Sequence, residues 1–280
     1  MILKDKTVII TGGSEGVGAA AARLFANAGA NLMLVARNRK NLEVIADELR
    51  DRTRVEIFAM DVSDADACVD VFKKAAFEFG QIDILVNNAG VHARGNVADV
   101  DAEDLARIVD INLRAPIVLS RIAIPYLKEH GSGAIINVGS MAGRTPVPGS
   151  TTYAATKAGL RSFSLALAEE LRDTGIKVGL VSPGPIDTGF ILADIDRTAD
   201  ITLSQPMSTA GDVAQTILDL CGNNLKEVAM PRLTGVLTTV NYLFPWVGRQ
   251  MRPLLEKKGR RFKEKFKAEQ KRRESGSPDR

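Results

Sequence analysis

Short apolar runs alternate with longer stretches of helical periodicity along most of the chain. The runs 6–11 (KTVIIT), 31–38 (NLMLVARN), 55–63 (VEIFAMDVS), 82–90 (IDILVNNAG), 133–140 (GAIINVGS) and 176–182 (IKVGLVS) are dominated by Val, Ile and Leu and have the length of buried strands. Between them, residues 16–30, 41–50, 64–80, 102–129 and 151–172 repeat their apolar positions at the spacing of one helix face. Strand and helix in alternation predict parallel βαβ units in a doubly wound α/β sheet. The pattern decays in two places. Residues 187–210 have poor periodicity and polar interruptions, which predicts a lid over a cleft, and after Met230 the alternation stops. The expected organisation is one α/β domain over 1–230 and a C-terminal extension over 231–280.

Composition adds bounds rather than detail. Of 280 residues, 45% are hydrophobic and 25% charged, ordinary values for a chain with an ample core. Cys68 and Cys221 imply neither a disulfide framework nor a Cys-rich metal site, so no metal is expected and a reducing compartment is. The opening MILKDKTVIITGG enters a strand without the features of a secretory signal, and a cytoplasmic location is expected. Charge is unevenly spread: residues 252–280 hold 12 Lys and Arg against 5 Asp and Glu, whereas residues 1–251 hold 25 against 29. The body gives no electrostatic reason to expect nucleic acid.

The first strand runs into GGSEGVG and then a helix. Gly12, Gly13, Gly16 and Gly18 let backbone approach a pyrophosphate, and a helix amino terminus offers free N–H donors, so this unit predicts a dinucleotide phosphate site. The second strand ends in Ala36-Arg37-Asn38, where an adenosine ribose would lie. An acidic residue there would repel a 2′-phosphate, whereas Arg37 can grip one in a fork, so NADP(H) is expected over NAD(H). The competing reading makes Arg37 and Arg39 solvated loop charges, and Glu15 in the glycine turn supplies no second cation. At the end of the third strand Asp61 can accept from an adenine amino group, with helix capping by Ser63 or Asp64 an equal reading of that neighbourhood. Asn87 and Asn88 end the fourth strand, where carboxamides can tie loops together and line a cofactor cleft.

The stretch that carries chemistry is SMAGRTPVPGSTTYAATK (140–157). Tyr153 and Lys157 stand four apart on one helix face. A free phenol titrates near pH 10, and a fixed cation that lowers it by two to three units contributes roughly 3–4 kcal/mol. Ser140, just past the carboxyl end of a strand, can hydrogen-bond a substrate oxygen. Asn112 lies in an apolar context and needs partners if buried. Either it caps a kink near Pro116 or it holds a water beside the site. Pro183-Gly184-Pro185 would turn the chain beneath a nicotinamide ring.

Taken together, these residues resemble the short-chain dehydrogenase/reductase family. TGGSEGVG is similar to its TGxxxGxG motif, NNAG matches letter for letter, Ser140 with Tyr153 and Lys157 matches its Ser and YxxxK set, and PGPIDT resembles its nicotinamide-side motif, over roughly residues 5–230. The resemblance implies a Rossmann-type fold and hydride transfer between a nicotinamide and a carbonyl or alcohol carbon. It implies a catalytic set of Asn112, Ser140, Tyr153 and Lys157. Tyr153 would protonate the substrate oxygen, Ser140 hold it, Lys157 lower the tyrosine pKa and bond the nicotinamide ribose, and Asn112 hold a water relaying protons to Lys157. Cofactor contacts are implied for Gly12, Ser14, Glu15, Gly16, Val17 and Gly18, for Arg37, Asp61 and Val62, for Asn88, Ala89 and Gly90, and for Pro183, Gly184 and Ile186, with Thr188 bonding the carboxamide. A homodimer or homotetramer through the helices near 102–130 and 151–173 is also implied.

The extension departs from that family. VLTTVNYLFPWV (236–247) is largely apolar but well short of the roughly 20 residues that span a bilayer. The basic segment after it carries Leu254, Leu255, Phe262 and Phe266, a composition suited to an anionic lipid surface, and 236–273 is one expected site of peripheral membrane contact. In the competing reading 236–255 cover the cleft or a partner subunit, and 256–280 form a solvated helix. Phe190, Ile191, Leu192, Leu243, Phe244 and Trp246 favour a lipophilic ketone as substrate. The alternative from another class is a catalytically silent dinucleotide-binding regulator.

Overall fold

The computed structural model describes residues 3–187 and 195–274, the last of these from 269 onward as backbone only. Its first elements are β1 (Thr7–Thr11), α1 (Gly16–Asn27), β2 (Asn31–Ala36), α2 (Arg39–Leu49), β3 (Val55–Ala59), α3 (Ala65–Phe79) and β4 (Ile84–Asn87). Then follow α4 (Ala102–Val109), α5 (Ala115–Glu129), β5 (Gly133–Val138), α6 (Thr151–Glu170) and β6 (Ile176–Pro183). The chain continues through α7 (Asp200–Leu203), α8 (Ala210–Gly222), β7 (Glu227–Met230), α9 (Arg232–Leu243) and α10 (Pro245–Glu274). The seven strands form one sheet in the order β3-β2-β1-β4-β5-β6-β7, parallel throughout, so the expected doubly wound fold is the one observed.

Every residue of β1, β4 and β5 is buried, which is why these strands read as unbroken apolar runs. Side chains alternate between the two sheet faces. Val8 and Ile10 point into a core shared with Phe25, Leu42 and Ile217, and Ile9 and Leu85 into a second core with Phe72, Leu119 and Leu167. Emptying either ring position, Phe25 or Phe72, would cost about 3–5 kcal/mol.

The strand order reverses between β1 and β4, and the glycine turn after β1 meets the NNAG loop after β4 at that crevice. Gly18 is required there: a Cβ on it would lie 2.0 Å from the carbonyl oxygen of Gly12. Gly12 itself has φ +66°, open to glycine at little cost. Asn88 fastens the crevice by donating to the carbonyls of Thr11 (2.9 Å) and Gly12 (3.2 Å), and the Thr11 hydroxyl accepts from the backbone N–H of Asn88 and Ala89.

Three differences from the sequence expectation have physical causes. Residues 102–129 are not one helix, because a π-turn over Asp110–Arg114 separates α4 from α5. The Ala115 N–H donates to Asp110 five residues back, and Pro116 has no N–H to continue the ladder. Helix α8 and strand β7 lie outside the elements read from the sequence: β7 has four residues, all half-buried at a sheet edge, whereas α8 buries Val213, Ala214, Ile217, Leu220 and Cys221 at helical spacing but starts with a Thr209–Asp212 capping box at the end of the polar stretch assigned to the lid. The extension, largely exposed over its described residues, rests on the body through a few positions. Gly235 brings α9 against Ala229, and Gly259 brings α10 against the Asp200 backbone, where a Cβ would lie 1.7 Å from the carbonyl oxygen. Phe266 joins Ile195, Leu203 and Met207 in a small apolar cluster, while Lys263 and Arg260 face the Asp200 carboxylate at 3.1 and 3.5 Å.

Candidate active site

One cleft of about 1080 Å³ opens along the carboxyl ends of the strands. At one end it is lined by Gly12, Ser14, Glu15, Gly16 and Val17 of the glycine turn. Glu15 is the N-cap of α1 and makes no side-chain capping bond, so the first N–H groups of that helix stay available to an anion. Gly18 is not a lining residue; it lies behind the turn and permits its close folding against Gly12.

Arg37, Asp61 and Val62 line the next part, with Asn88, Ala89 and Gly90 on the adjoining wall. Arg37 is exposed, and its guanidinium makes no ion pair or hydrogen bond among the described residues. Asn38 beside it is spent on capping α2 through the Asn41 N–H. Asp64 caps α3, leaving Asp61 facing the cleft. Burial pushes the Asp61 carboxyl up, but hydrogen bonds from Ser63 (backbone 3.0 Å, hydroxyl 2.7 Å) and Arg107 (2.8 Å) outweigh it and hold the group below the usual carboxylate range.

At the far end the cleft brings together Ser140, Tyr153 and Lys157. Ser140 lies two residues past β5 and accepts from the Ala142 N–H at 3.1 Å, which starts a short 3-10 turn over Met141–Arg144. Gly143 lets that turn rest on α6, since a Cβ would lie 2.6 Å from the Lys157 carbonyl carbon. Glu227 on β7 clamps the arrangement, accepting from Arg144 (3.0 Å), Arg161 (2.9 Å) and Ser182 (3.0 Å). The Lys157 Nζ donates to the Val138 carbonyl at 2.8 Å and lies 5.8 Å from the Tyr153 ring centre.

Electrostatics differ from the expectation in one respect. Burial is the dominant influence on Tyr153 and raises its pKa, with the Ser140 hydrogen bond and the Arg94 charge acting in the opposite direction. The net direction is up, not down. Burial also lowers the Lys157 ammonium to about 8. The phenol therefore keeps its proton at neutral pH, and the cation beside it is held close to the point of releasing one.

Asn112 differs too. It is fully buried and absent from the cleft wall, with Oδ1 accepting from the Val91 N–H at 2.9 Å and Nδ2 donating to the Val91 carbonyl at 2.8 Å. Its side chain is committed to the Val91 backbone, so a water held beside the site would not be held by the carboxamide. The Asn112 backbone carbonyl is a different matter, because Pro116 offers it no helical N–H. Thr188, with Phe190, Ile191 and Leu192, lies outside the described residues. Pro183, Gly184, Pro185 and Ile186 line the floor of the cleft. Leu243, Phe244 and Trp246 do not line it; they are exposed on the extension.

Several functional neighbours carried no sequence signal strong enough to select them. The His92 ring stacks on Tyr153 with centroids 4.3 Å apart, and Arg94 lines the cleft nearby. Polar residues inside apolar strands were the available hint for a second group: Asn87 donates to Asn137 at 2.8 Å, and Asn137 to Ser164 at 2.8 Å, tying β4, β5 and α6 beneath the reacting groups. On the lid side Thr198, Ala199, Thr202 and Gln205 line the cleft, on and around the α7 turn that α10 holds.

A family model described as short chain dehydrogenase matches residues 6–197. Sulfoacetaldehyde reductase 2 of Chromohalobacter salexigens is 38% identical over 216 residues, covering 75% of this chain and 86% of that protein. A short chain dehydrogenase of Pseudocercospora fijiensis is 37% identical over 190 residues, covering 66% of this chain and 61% of that longer protein. Among solved structures, a short-chain type dehydrogenase/reductase from Mycobacterium marinum superposes with a TM-score of 0.75 at 27% identity, covering 81% of this chain and 94% of the other.

Proposed function

The chain belongs to the short-chain dehydrogenase family, an oxidoreductase with a nicotinamide dinucleotide cofactor, and we propose that it is an NADP(H)-dependent carbonyl reductase acting on a lipophilic ketone or aldehyde. The observation that carries the reading is the convergence of Ser140, Tyr153 and Lys157 in one cleft whose other end is lined by a glycine turn, a helix amino terminus and Arg37. The glycine turn fits a pyrophosphate, since Gly12, Ser14, Gly16 and Val17 line the cleft where the first N–H groups of α1 have no side-chain cap. Arg37 favours a 2′-phosphate because its guanidinium has no partner among the described residues.

The cofactor, when bound, supplies the hydride. The residues of the chain do the rest. The Ser140 hydroxyl donates to the substrate oxygen and fixes its place beside the Tyr153 phenol. The phenol gives its proton to that oxygen as negative charge develops on it. Its raised pKa keeps that proton in place until then. Lys157, carrying its charge just below pH 8, stabilises the phenolate left behind. Reprotonation through a water on the Asn112 backbone carbonyl would complete the cycle. The apolar Val91, Met141, Val147, Ile186 and Ala199 on the walls support a lipophilic substrate.

A second reading has one observation in its favour. Arg94 is 8% exposed, lines the cleft and acts on the Tyr153 charge, as a group recognising an anionic aldehyde such as sulfoacetaldehyde would. Titration with NADPH and NADH followed by a carbonyl panel tests both. NADPH is expected to bind more tightly, and Arg37→Ala to weaken it roughly 10–100-fold, the range of a charge-assisted hydrogen bond, while leaving NADH unchanged. Equal binding of the two cofactors would refute the NADP(H) assignment. Greater kcat/KM for sulfoacetaldehyde than for aliphatic or steroid ketones would select the second substrate.

A further inference from the structure

Helix α9 is amphipathic in the wrong sense for a core helix. Leu233, Val236, Leu237 and Val240 recur at helical spacing, the signature of a buried stripe, yet all four are exposed. The face turned to the body is made of Gly235 and Thr238 instead. The apolar positions continue through Leu243 and Phe244 and, past Pro245, through Trp246, Met251 and Leu254, all exposed as well. These nine large apolar side chains, exposed within 233–254, mark an interaction surface rather than chance exposure.

Charge selects the occupant. Residues 232–268 hold ten Lys and Arg against two Asp and Glu. Among them Arg232, Arg249, Lys257, Lys258 and Arg261 are exposed and have no ion pair among the described residues. A second copy laid on the ridge would bring two surfaces of the same positive charge together, which opposes association. An acidic headgroup layer meets both demands, since hydrocarbon receives the ridge and phosphate receives the cations. No helix among the described residues is long and apolar enough to cross a membrane, so contact would be with one leaflet. We propose that α9 and the first half of α10 form a docking surface for an anionic lipid bilayer.

The surface sits on the same two elements that hold the cleft walls. Asn241 of α9 donates to Thr145 at 2.9 Å, and α10 grips Asp200 next to Ala199 and Thr202. Docking would therefore bring the mouth of the cleft close to the bilayer. This inference stands apart from the proposed reaction and survives if that reaction is wrong.

Trp246 is the only tryptophan in the chain and lies on the ridge, so its fluorescence reports docking directly. The full-length protein is mixed with phosphatidylcholine vesicles, with and without phosphatidylglycerol, and read by flotation and Trp246 emission. Flotation and a blue shift with the acidic vesicles alone are expected. Lys257→Ala with Lys258→Ala should weaken binding roughly thirtyfold, at about one kilocalorie per mole for each cation near the surface. Leu233→Ser with Leu237→Ser should abolish it while cofactor binding stays at the parental level, which shows that the variant is folded. Failure to float with acidic vesicles, or equal flotation with both compositions, would overturn the proposal. So would an emission already blue without lipid that turns red as a dimer dissociates in Leu237→Glu, because the ridge would then be covered by a second copy.

Discussion

The cofactor half and the extension use the same apolar periodicity in opposite directions. In α1 the apolar positions point inward, and Ala21, Ala22 and Phe25 are completely buried beneath the sheet. In α9 they point outward, with Leu233 72% and Val236 61% exposed. Periodicity reports that a helix has a preferred apolar face; it does not report what covers that face. In α1 the partner is another element of the same chain. In α9 no described element covers it, and small residues such as Gly235 form the intramolecular contact.

The sharpest way to separate the two regions is to remove one atom from each kind of role. Tyr153→Phe deletes the proton donor while keeping the ring that stacks on His92. Turnover is expected to fall roughly a thousandfold, within the range of general-acid contributions, with cofactor affinity nearly unchanged. Steady-state kinetics and a cofactor titration on the same preparation check this. Parental turnover would identify a different proton donor, and tight cofactor binding by the parent without turnover of any carbonyl would point to the silent regulator.

Two glycines allow the same substitution to be made in both regions. Gly18→Ala drives a Cβ to within 2.0 Å of the Gly12 carbonyl at the centre of the fold, where neither α1 nor the turn can move away. We expect a loss of about 2–3 kcal/mol, typical of overpacking, and weaker cofactor binding. Gly259→Ala makes an even closer nominal contact, 1.7 Å from the Asp200 carbonyl. Here α10 can lift off toward solvent, so a loss of about 1 kcal/mol is expected, with faster hydrogen exchange confined to α7 and α10. Urea unfolding of both variants, with exchange data, compares them; equal losses would mean that the extension is as integral as the glycine turn.

How legible each region was in the sequence follows from where its constraints come from. The strand runs, the GGSEGVG turn and the Tyr153–Lys157 spacing are local, and each is specified within a few residues. The π-turn at Asn112 depends on the Val91 backbone 21 residues away, and Glu227 gathers Arg144 and Arg161 from 83 and 66 residues away. No window of sequence contains such a contact. Strand β7 is not legible because an edge strand of four half-buried residues lacks both alternation and a full apolar run. The Tyr153 pKa departs from the expectation for a related reason: the Lys157 spacing is legible along the helix, whereas the burial that raises the phenol comes from the tertiary fold.

Lys157 shows what that burial costs. Its pKa falls to about 8 from an ordinary 10.5, so between those values the unfolded chain binds more protons than the folded one. Stability then rises with pH across this window, and the full penalty is present below about pH 8. Lys157→Met should be inactive yet more stable at pH 7 by about 1–3 kcal/mol, since it removes a buried charge while keeping the packing. The gain should shrink as pH rises toward 10. Thermal unfolding of both proteins across that range is the measurement, and a pH-independent difference would show that Lys157 titrates alike in the folded and unfolded chains.

The smallest effect is expected where the two regions meet. Among the described residues Asp200 is paired from α10 alone, by Arg260 at 3.5 Å and Lys263 at 3.1 Å, and Lys263 also donates to the Thr198 carbonyl at 2.8 Å. Asp200→Asn keeps the shape of the side chain and removes its charge. Because both cations remain partly solvated, global stability should drop by less than about 1 kcal/mol. The consequence for the cleft should be larger than the consequence for the fold. Thr198, Ala199 and Thr202 form the wall that this contact steadies, so a looser α7 should raise KM a few-fold while kcat holds, since Ser140, Tyr153 and Lys157 are positioned from β5, Glu227 and α6 without help from α10. A fall in kcat with KM unchanged would reverse that inference and make the extension part of the machinery that aligns the reacting groups.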